Sequence, residues 1–385
     1  MFTKPIDEIT FEDVQSFCEE WGEGVRVEYK SELKVKNHIP KVVSSFANTY
    51  GGIFLIGIKT DKTTNMPILP IEGIPNSRHI EESIQQSAEM SINPPVRPEV
   101  KIVKVGDGEN VVVVVRVAEG SLLVPHAIED STKAYFRVGS TTQPYELKLA
   151  NMELIAHMFK RREDSQIVTK QIIDRIEERM EPLYDTDAPN IIVIAKPVIP
   201  YRPVISTSEI YALDEGYAWH PRRVAGGISH LNKEQGSIYR EFNEYGIAYY
   251  RTQLFEDETQ QAIEYGQFIS PIKFLIKDAE KLYRKCEYLG DIEVTAQLRE
   301  VLGKKLYDSV YPPYGRIENI TDGVIPEPEC FDTTVCASKR CLLHDIQDTE
   351  KLTEIVEELV LQLLWAFNIA TDDPRKREQI RKRII

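Results

Sequence analysis

Ser45-Phe46-Ala47-Asn48-Thr49-Tyr50-Gly51-Gly52-Ile53-Phe54-Leu55-Ile56-Gly57 runs from the end of a helix, through a double glycine, into an apolar strand. Upstream, Ile39, Val42, Val43, Phe46 and Ala47 share one helical face, so the helix is expected to begin at Ile39-Pro40 with proline in its first turn. Gly51-Gly52 should end it, where positive φ is needed, and residues 53–58 should be a buried strand. Further upstream stands Glu23-Gly24-Val25-Arg26-Val27-Glu28-Tyr29-Lys30. Val25, Val27 and Tyr29 alternate with Arg26, Glu28 and Lys30, which predicts a strand over 25–29 burying the first set. Its other face would present two cations flanking a carboxylate, a surface suited to phosphate and a divalent cation.

Working outward, Phe11, Val14 and Phe17 mark an N-terminal helix, and a second helix capped by Ser77 should turn Ile80 and Ile84 inward. Residues 99–105 and 111–118 flank Gly106-Asp107-Gly108-Glu109-Asn110 as a hairpin, with 111–115 an interior strand. Residues 147–162 and 166–180 read as two helices, and Asp185-Thr186-Asp187-Ala188-Pro189-Asn190 breaks the pattern. This gives domains of 1–163 and 164–385. In the second, strands are expected at 191–194 and 246–250, helices at 271–288 and 350–367, and a frayed basic tail at 372–385. Both domains are α+β.

The 385 residues are 42% hydrophobic and 28% charged, as in globular proteins, and no apolar run is long enough to span a membrane. Five cysteines argue against a disulfide framework and for a reducing, cytoplasmic setting. The net charge of -14 opposes general nucleic-acid binding, but its distribution is uneven. Residues 1–163 hold 19 Lys+Arg against 23 Asp+Glu, leaving 28 against 38 for the remainder. Arg26, Lys30, Lys34, Lys36 and Lys41 crowd around the first strand and helix; the bland reading of such a run is a solvated face.

The segments quoted above, with the later Ala134-Tyr135-Phe136-Arg137-Val138-Gly139-Ser140-Thr141-Thr142, resemble the Schlafen-type AlbA domain over residues 18–162. The resemblance implies an AlbA-like mixed sheet with helices and a prokaryotic protein that binds RNA or DNA. In nuclease members of that family, two glutamates of the first motif and an acid after the Gly-Val strand hold a divalent metal. By that resemblance Glu23 and Glu28 match the first two positions, and Mg2+ or Mn2+ would be the cofactor. The third position is out of register: Lys59-Thr60 stand where the acid belongs, and Asp61 is the first candidate.

On this reading the protein is a metal-dependent endonuclease hydrolysing phosphodiesters of tRNA-like RNA or of DNA, with Glu23, Glu28, Asp61 and Lys30 catalytic. Lys30 would stabilise developing charge, and Arg26, Lys34, Lys36, Lys41 and Arg137 would hold the backbone. The rivals are a noncatalytic DNA-binding regulator and an ATP-binding module. In the regulator Glu28-Tyr29-Lys30 is an ordinary strand with cross-strand charge pairs and Arg137 a salt bridge on an edge strand. For the ATP module, Ile58 interrupts the Gly-Lys pair that a phosphate-binding loop requires.

Cys330, Cys336, Cys341 and His344 lack the Cys-x-x-Cys spacing of a zinc knuckle and read as buried thiols. His126 reads as packed or surface histidine. Arg222-Arg223, Tyr239-Arg240 and Tyr249-Tyr250-Arg251 mix cations with aromatics as single-strand binders do, or as an ordinary interface does. The second domain is expected to sense, recognise or form a homo-oligomer.

Overall fold

The computed structural model describes residues 1–2, 4–120, 124–128, 133–138, 146–149, 152–181, 187–212, 221–232, 238–257, 262–307, 329–369, 371 and 374–384. The fold is α+β. Backbone contacts divide it into two units, Met1–Ser165 with Leu289–Asp291, and Gln166–Tyr288 with Ile292–Ile385.

The first unit contains α1 (Phe11–Glu20), β1 (Val27–Lys30), α2 (Val35–Ala47), β2 (Gly52–Ile56), β3 (Ile74–Pro75), α3 (Ile80–Ser91), β4 (Glu99–Lys104) and β5 (Asn110–Val117). It continues with β6 (Ala127–Ile128), β7 (Lys133–Val138), β8 (Glu146–Leu149) and the first half of α4 (Met152–Met180). β1 runs parallel to β2, and β5 is antiparallel to β2 on one edge and to β4 on the other. β3 continues the β2 edge of β5 through Ile74 and Val111.

Both faces of this sheet are covered, which explains the unbroken apolar run Val111–Val115, every residue of it fully buried. Val27, Tyr29, Ile53, Leu55, Val112 and Val114 pack with Val14 and Phe17 of α1. Phe54, Ile56, Val113 and Val115 pack beneath Ile39, Val43 and Phe46 of α2 and Ile84 of α3. A smaller sheet, β6-β7-β8, buries Ala134 and Phe136 against Met158 of α4.

Several boundaries differ from the sequence reading. α2 begins at Val35, so Pro40 lies inside it rather than in the first turn, and Lys34 occupies the cap position with no side-chain hydrogen bond. α3 is preceded by His79 in the left-handed region (φ 73°), not by a Ser77 cap. Residues 146–149 are strand, and the two helices expected at 147–162 and 166–180 are one, since residues 152–180 contain no glycine or proline to break it.

The second unit contains β9 (Asn190–Pro197), α5 (Thr207–Ala212), β10 (Arg222–Val224), β11 (Gly227–Asn232), β12 (Ile238–Asn243), β13 (Ala248–Gln253), β14 (Glu256–Asp257) and β15 (Ala262–Glu264). α6 (Gly266–Lys285), β16 (Asp291–Arg299), β17 (Lys305–Tyr307), β18 (Thr334–Leu342), α7 (Leu343–Gln347), α8 (Thr349–Trp365) and α9 (Pro374–Ile384) complete it. Its seven-stranded sheet runs β10-β11-β12-β13-β9-β16-β18. Along β9, Ile191, Val193 and Ala195 face α6 and α8, while Ile192 meets Ile172, Ile176 and Met180 of α4.

The expected frayed tail is instead α9. Its Ile380 and Ile384 enter the core, and Arg383 pairs with Glu264 at 2.5 Å while stacking over Tyr265. Basic residues hid a helix whose apolar positions are four apart. No described helix is long and apolar enough to cross a membrane.

Candidate functional site

In register, Glu28 stands beside Phe54 and Lys30 beside Ile56, the residues that pack under α2. The strand face expected to meet solvent is therefore largely roofed. Glu28 is only 4% exposed and its carboxylate is held from two sides. Arg137 of β7 donates from Nη2 to Oε2 at 2.7 Å, and Lys30 Nζ bonds Oε1. A carboxylate cannot be buried cheaply without such partners.

Arg137 also donates to the Gly24 carbonyl (2.9 Å), and its guanidinium lies 4.4 Å from the centre of the Phe46 ring. Its side chain is fully buried on a central strand, the middle of β6-β7-β8, rather than on an exposed edge. From this buried position it braces Glu28.

Glu23 lies on the same cluster. Its Oε1 accepts the Tyr29 amide at 3.2 Å and is 3.8 Å from Lys30 Nζ, so Lys30 ties the two glutamates together. The loop that carries Asp61 meets this segment through backbone, the Glu23 amide donating to the Asn65 carbonyl at 2.8 Å. The Asp61 carboxylate turns into its own loop. Oδ1 accepts the Thr63 and Thr64 amides, both at 2.8 Å, and these bonds hold the carboxyl below its ordinary pKa. Among the described residues, no group of three or more His, Cys, Asp or Glu side chains is placed to hold a metal ion.

The helix-end motif explains how Arg137 reaches Glu28. Ser44 donates to the His126 carbonyl (2.8 Å), and Asn48 Nδ2 donates to the His126 and Tyr135 carbonyls (2.8 Å each). Asn48 Oδ1 accepts the His126 amide (2.7 Å), and Thr49 Oγ1 accepts the Arg137 amide (2.9 Å). Polar residues at the end of α2 thus fasten it to β6 and β7. His126 is packed here, its Nδ1 2.8 Å from the Pro94 carbonyl, and burial lowers its pKa. Gly51 has φ of +66°, as expected of a helix stop, whereas Gly52 serves a close approach: a Cβ there would overlap the Phe46 ring.

The surface beside this braced cluster is cationic. Lys30 emerges partly exposed at the end of β1, Lys34 is exposed before α2, and Lys41 lies 5.5 Å over the Tyr135 ring. Arg26 is half-buried; the side chain of Lys36 lies outside the described residues. His38, overlooked in the sequence, sits among them. Burial, then Lys30, Lys34 and Lys41, lower its pKa, while Glu28 opposes them. Its signal was the spacing: 34, 38 and 41 fall on one helical face once the helix starts at Val35. The first turn of α2 carries no acidic residue.

Elsewhere the candidates separate. Ile53–Ile56 lie within β2 and Lys59-Thr60 in a loop, so no helix follows to cradle phosphate. On β18, Cys336 is exposed while Cys341 is buried on the opposite face, and Cys330 is buried off that strand. Tyr239, Arg240, Tyr249 and Tyr250 are interior, Arg240 pairing with Asp278 of α6 at 2.8 Å. The aromatic-cation pattern of β12 and β13 is a core feature.

Of the segment ending in Gly139-Ser140-Thr141-Thr142, only the part through Val138 is within the described residues. No protein of curated function matches the chain. Among solved structures, the N-terminal domain of a RecG-related protein from Nitrosomonas europaea is 22% identical. That match covers 36% of this chain and 95% of the other, with a TM-score of 0.29. A Corynebacterium diphtheriae protein is 16% identical over 45% of this chain and 34% of its own, with a TM-score of 0.25. The Schlafen, AlbA_2 family matches residues 23–146, a span that opens on Glu23 and takes in the helix-end motif, its glycines and the Arg137 strand. Residues 23–146 are accordingly a Schlafen AlbA_2 domain.

Proposed function

We propose that the first unit binds the phosphate backbone of nucleic acid through the cationic surface around the start of α2, with Arg26, Lys34, Lys36 and Lys41 as the principal cations. The observation that carries this reading is how the charges are arranged. Glu23 and Glu28 are offset by Lys30 and Arg137, so the neighbouring lysines set the sign of the field. Lys34 pairs with Glu32 at 3.5 Å, but both are exposed and such a pair is weak. The uncapped amides at the start of α2 add to the attraction for anions. Family membership supports the same class of ligand.

A metal-dependent endonuclease is the second reading, favoured by the two glutamates that meet at Lys30. The donors do not fit Mg2+ or Mn2+ as they stand. Both oxygens of Glu28 are bonded to cations and one oxygen of Asp61 to its own loop. Binding of RNA or DNA without hydrolysis is the function we favour.

Fluorescence anisotropy of the full chain against an RNA and DNA panel, in EDTA and in manganese, separates the readings. Salt-sensitive binding in EDTA with intact substrate in manganese is expected. Manganese-dependent cleavage that Glu28→Gln abolishes, in a variant whose melting curve shows it folded, would establish the endonuclease; absence of binding at low salt would remove both.

His38 adds a pH dependence. Phosphate stabilises the protonated ring, so its pKa is higher in the complex than in the free protein, where it lies below the ordinary ~6.5. Affinity therefore rises as pH falls through this range. Between about pH 7.5 and pH 5.5 we expect a gain on the order of threefold to tenfold, absent in His38→Asn. A pH-independent wild type would take His38 out of the interface.

A further inference from the structure

From a groove in the second unit we infer a docking site for a peptide of another protein, one that carries a lysine or arginine and, a few residues away, a bulky apolar side chain. The groove encloses about 820 Å³. Its floor is one face of α8, where Glu354, Glu357, Leu361 and Trp365 follow one another at helical spacing. From Glu354 to Trp365 the floor rises on the order of 16 Å, the reach of about five extended residues. Cys336 of β18 and Arg377 and Arg381 of α9 line its sides.

Trp365 is 67% exposed at one end, with Leu361 buried beside it. Tryptophans held at the surface in this way are the side chains that dominate binding when a partner covers them. At the other end, among the described residues, no side-chain hydrogen bond or ion pair engages the carboxylates of Glu354 and Glu357. The two arginines also contact their own chain: Arg381 reaches Glu350 at 3.4 Å, a weak pair because both are exposed, and Arg377 donates to the Thr371 carbonyl at 3.0 Å. Among the described side chains that line the groove, three glutamates stand against two arginines, so the balance is negative.

This complementarity selects a cation near the glutamates and an apolar group on the indole. The edge of β18 is not the recognition element, because Gln362 accepts the Ser338 amide (3.2 Å) and donates to its carbonyl (3.4 Å). Side chains must supply the specificity. A second copy offering its own α9 is a poor occupant, since Ile380, Ile384 and the Arg383–Glu264 pair hold that helix against its own core.

The test is selection of phage-displayed random dodecapeptides on the full chain, followed by titration of the consensus peptide. Enriched peptides should carry Lys or Arg a few positions from Trp, Phe or Leu. Their affinity should fall at least about tenfold in Trp365→Ala and in Glu354→Gln/Glu357→Gln, and stay unchanged in Lys34→Ala. Trp365 and Glu354 are exposed and Glu357 is half-buried, and melting curves of the variants verify that each is folded. No enrichment, acidic consensus peptides, or equal binding to the variants would overturn the proposal. So would competition by a single-stranded oligonucleotide, or self-association lost in Trp365→Ala, which would assign the groove to nucleic acid or to a second copy.

Discussion

Arg137→Met should destabilise the first unit by about 3–5 kcal/mol, the usual cost of removing one member of a buried ion pair. The guanidinium is fully buried, and its loss leaves Glu28 with Lys30 alone while freeing the Gly24 carbonyl from its 2.9 Å bond. For a unit of this size the melting temperature should fall by on the order of 10 °C. Glu28→Gln/Arg137→Met should recover part of the loss, because it removes the stranded charge along with its partner. Circular dichroism melts of the full chain follow both variants. A loss below about 1 kcal/mol in Arg137→Met would mean that the pair braces nothing.

Asn48→Ala should cost about 3 kcal/mol or more. Asn48 is fully buried, and its side chain serves the His126 amide, the His126 carbonyl and the Tyr135 carbonyl. Each buried group left without its partner costs about 1–3 kcal/mol, although Ser44 continues to donate to the His126 carbonyl. Asn48→Asp is the sharper variant. It can still accept from the His126 amide, but it sets a carboxylate against two carbonyls, which raises its folded-state pKa above the unfolded ~3.9. Its stability should be greatest below that unfolded value and be lost as pH rises through the folded one. Urea titrations from about pH 4 to pH 7 should therefore show Asn48→Asp converging on wild type at acid pH. A deficit independent of pH would place Asn48 outside the hydrogen-bond hub.

These residues also mark what the sequence could and could not reveal. Residues 111–115 read as interior because a strand covered on both faces has no polar side, and Gly51 read as a helix stop because its backbone needs positive φ. Alternation along Val25 to Lys30 was legible, but α2 as the cover over Glu28 was not, because period-two patterning marks faces without saying what lies on them. Arg137 is 109 residues from Glu28, and no local pattern connects them. Asn48 and Thr49 were visible as part of a motif, yet their work is hydrogen bonding between elements distant in sequence. His38 was missed because helix α2 was started at Ile39. In the second unit, Arg240 lay in an aromatic stretch typical of a binding face and proved to be paired internally with Asp278.

The salt dependence of nucleic-acid affinity reveals whether the cations at the start of α2 meet the phosphates. The logarithm of the binding constant falls linearly with the logarithm of salt, with a slope of about 0.7–0.9 per phosphate neutralised. Full-length wild type and a Lys34→Ala/Lys36→Ala/Lys41→Ala variant are titrated with the same labelled oligonucleotide across a salt series, and matching melting curves establish that both are folded. The variant should bind every sequence more weakly, with a slope shallower by about 2–3. Equal slopes for the two proteins would contradict this, because the cations at the start of α2 would then not be those that meet the phosphates.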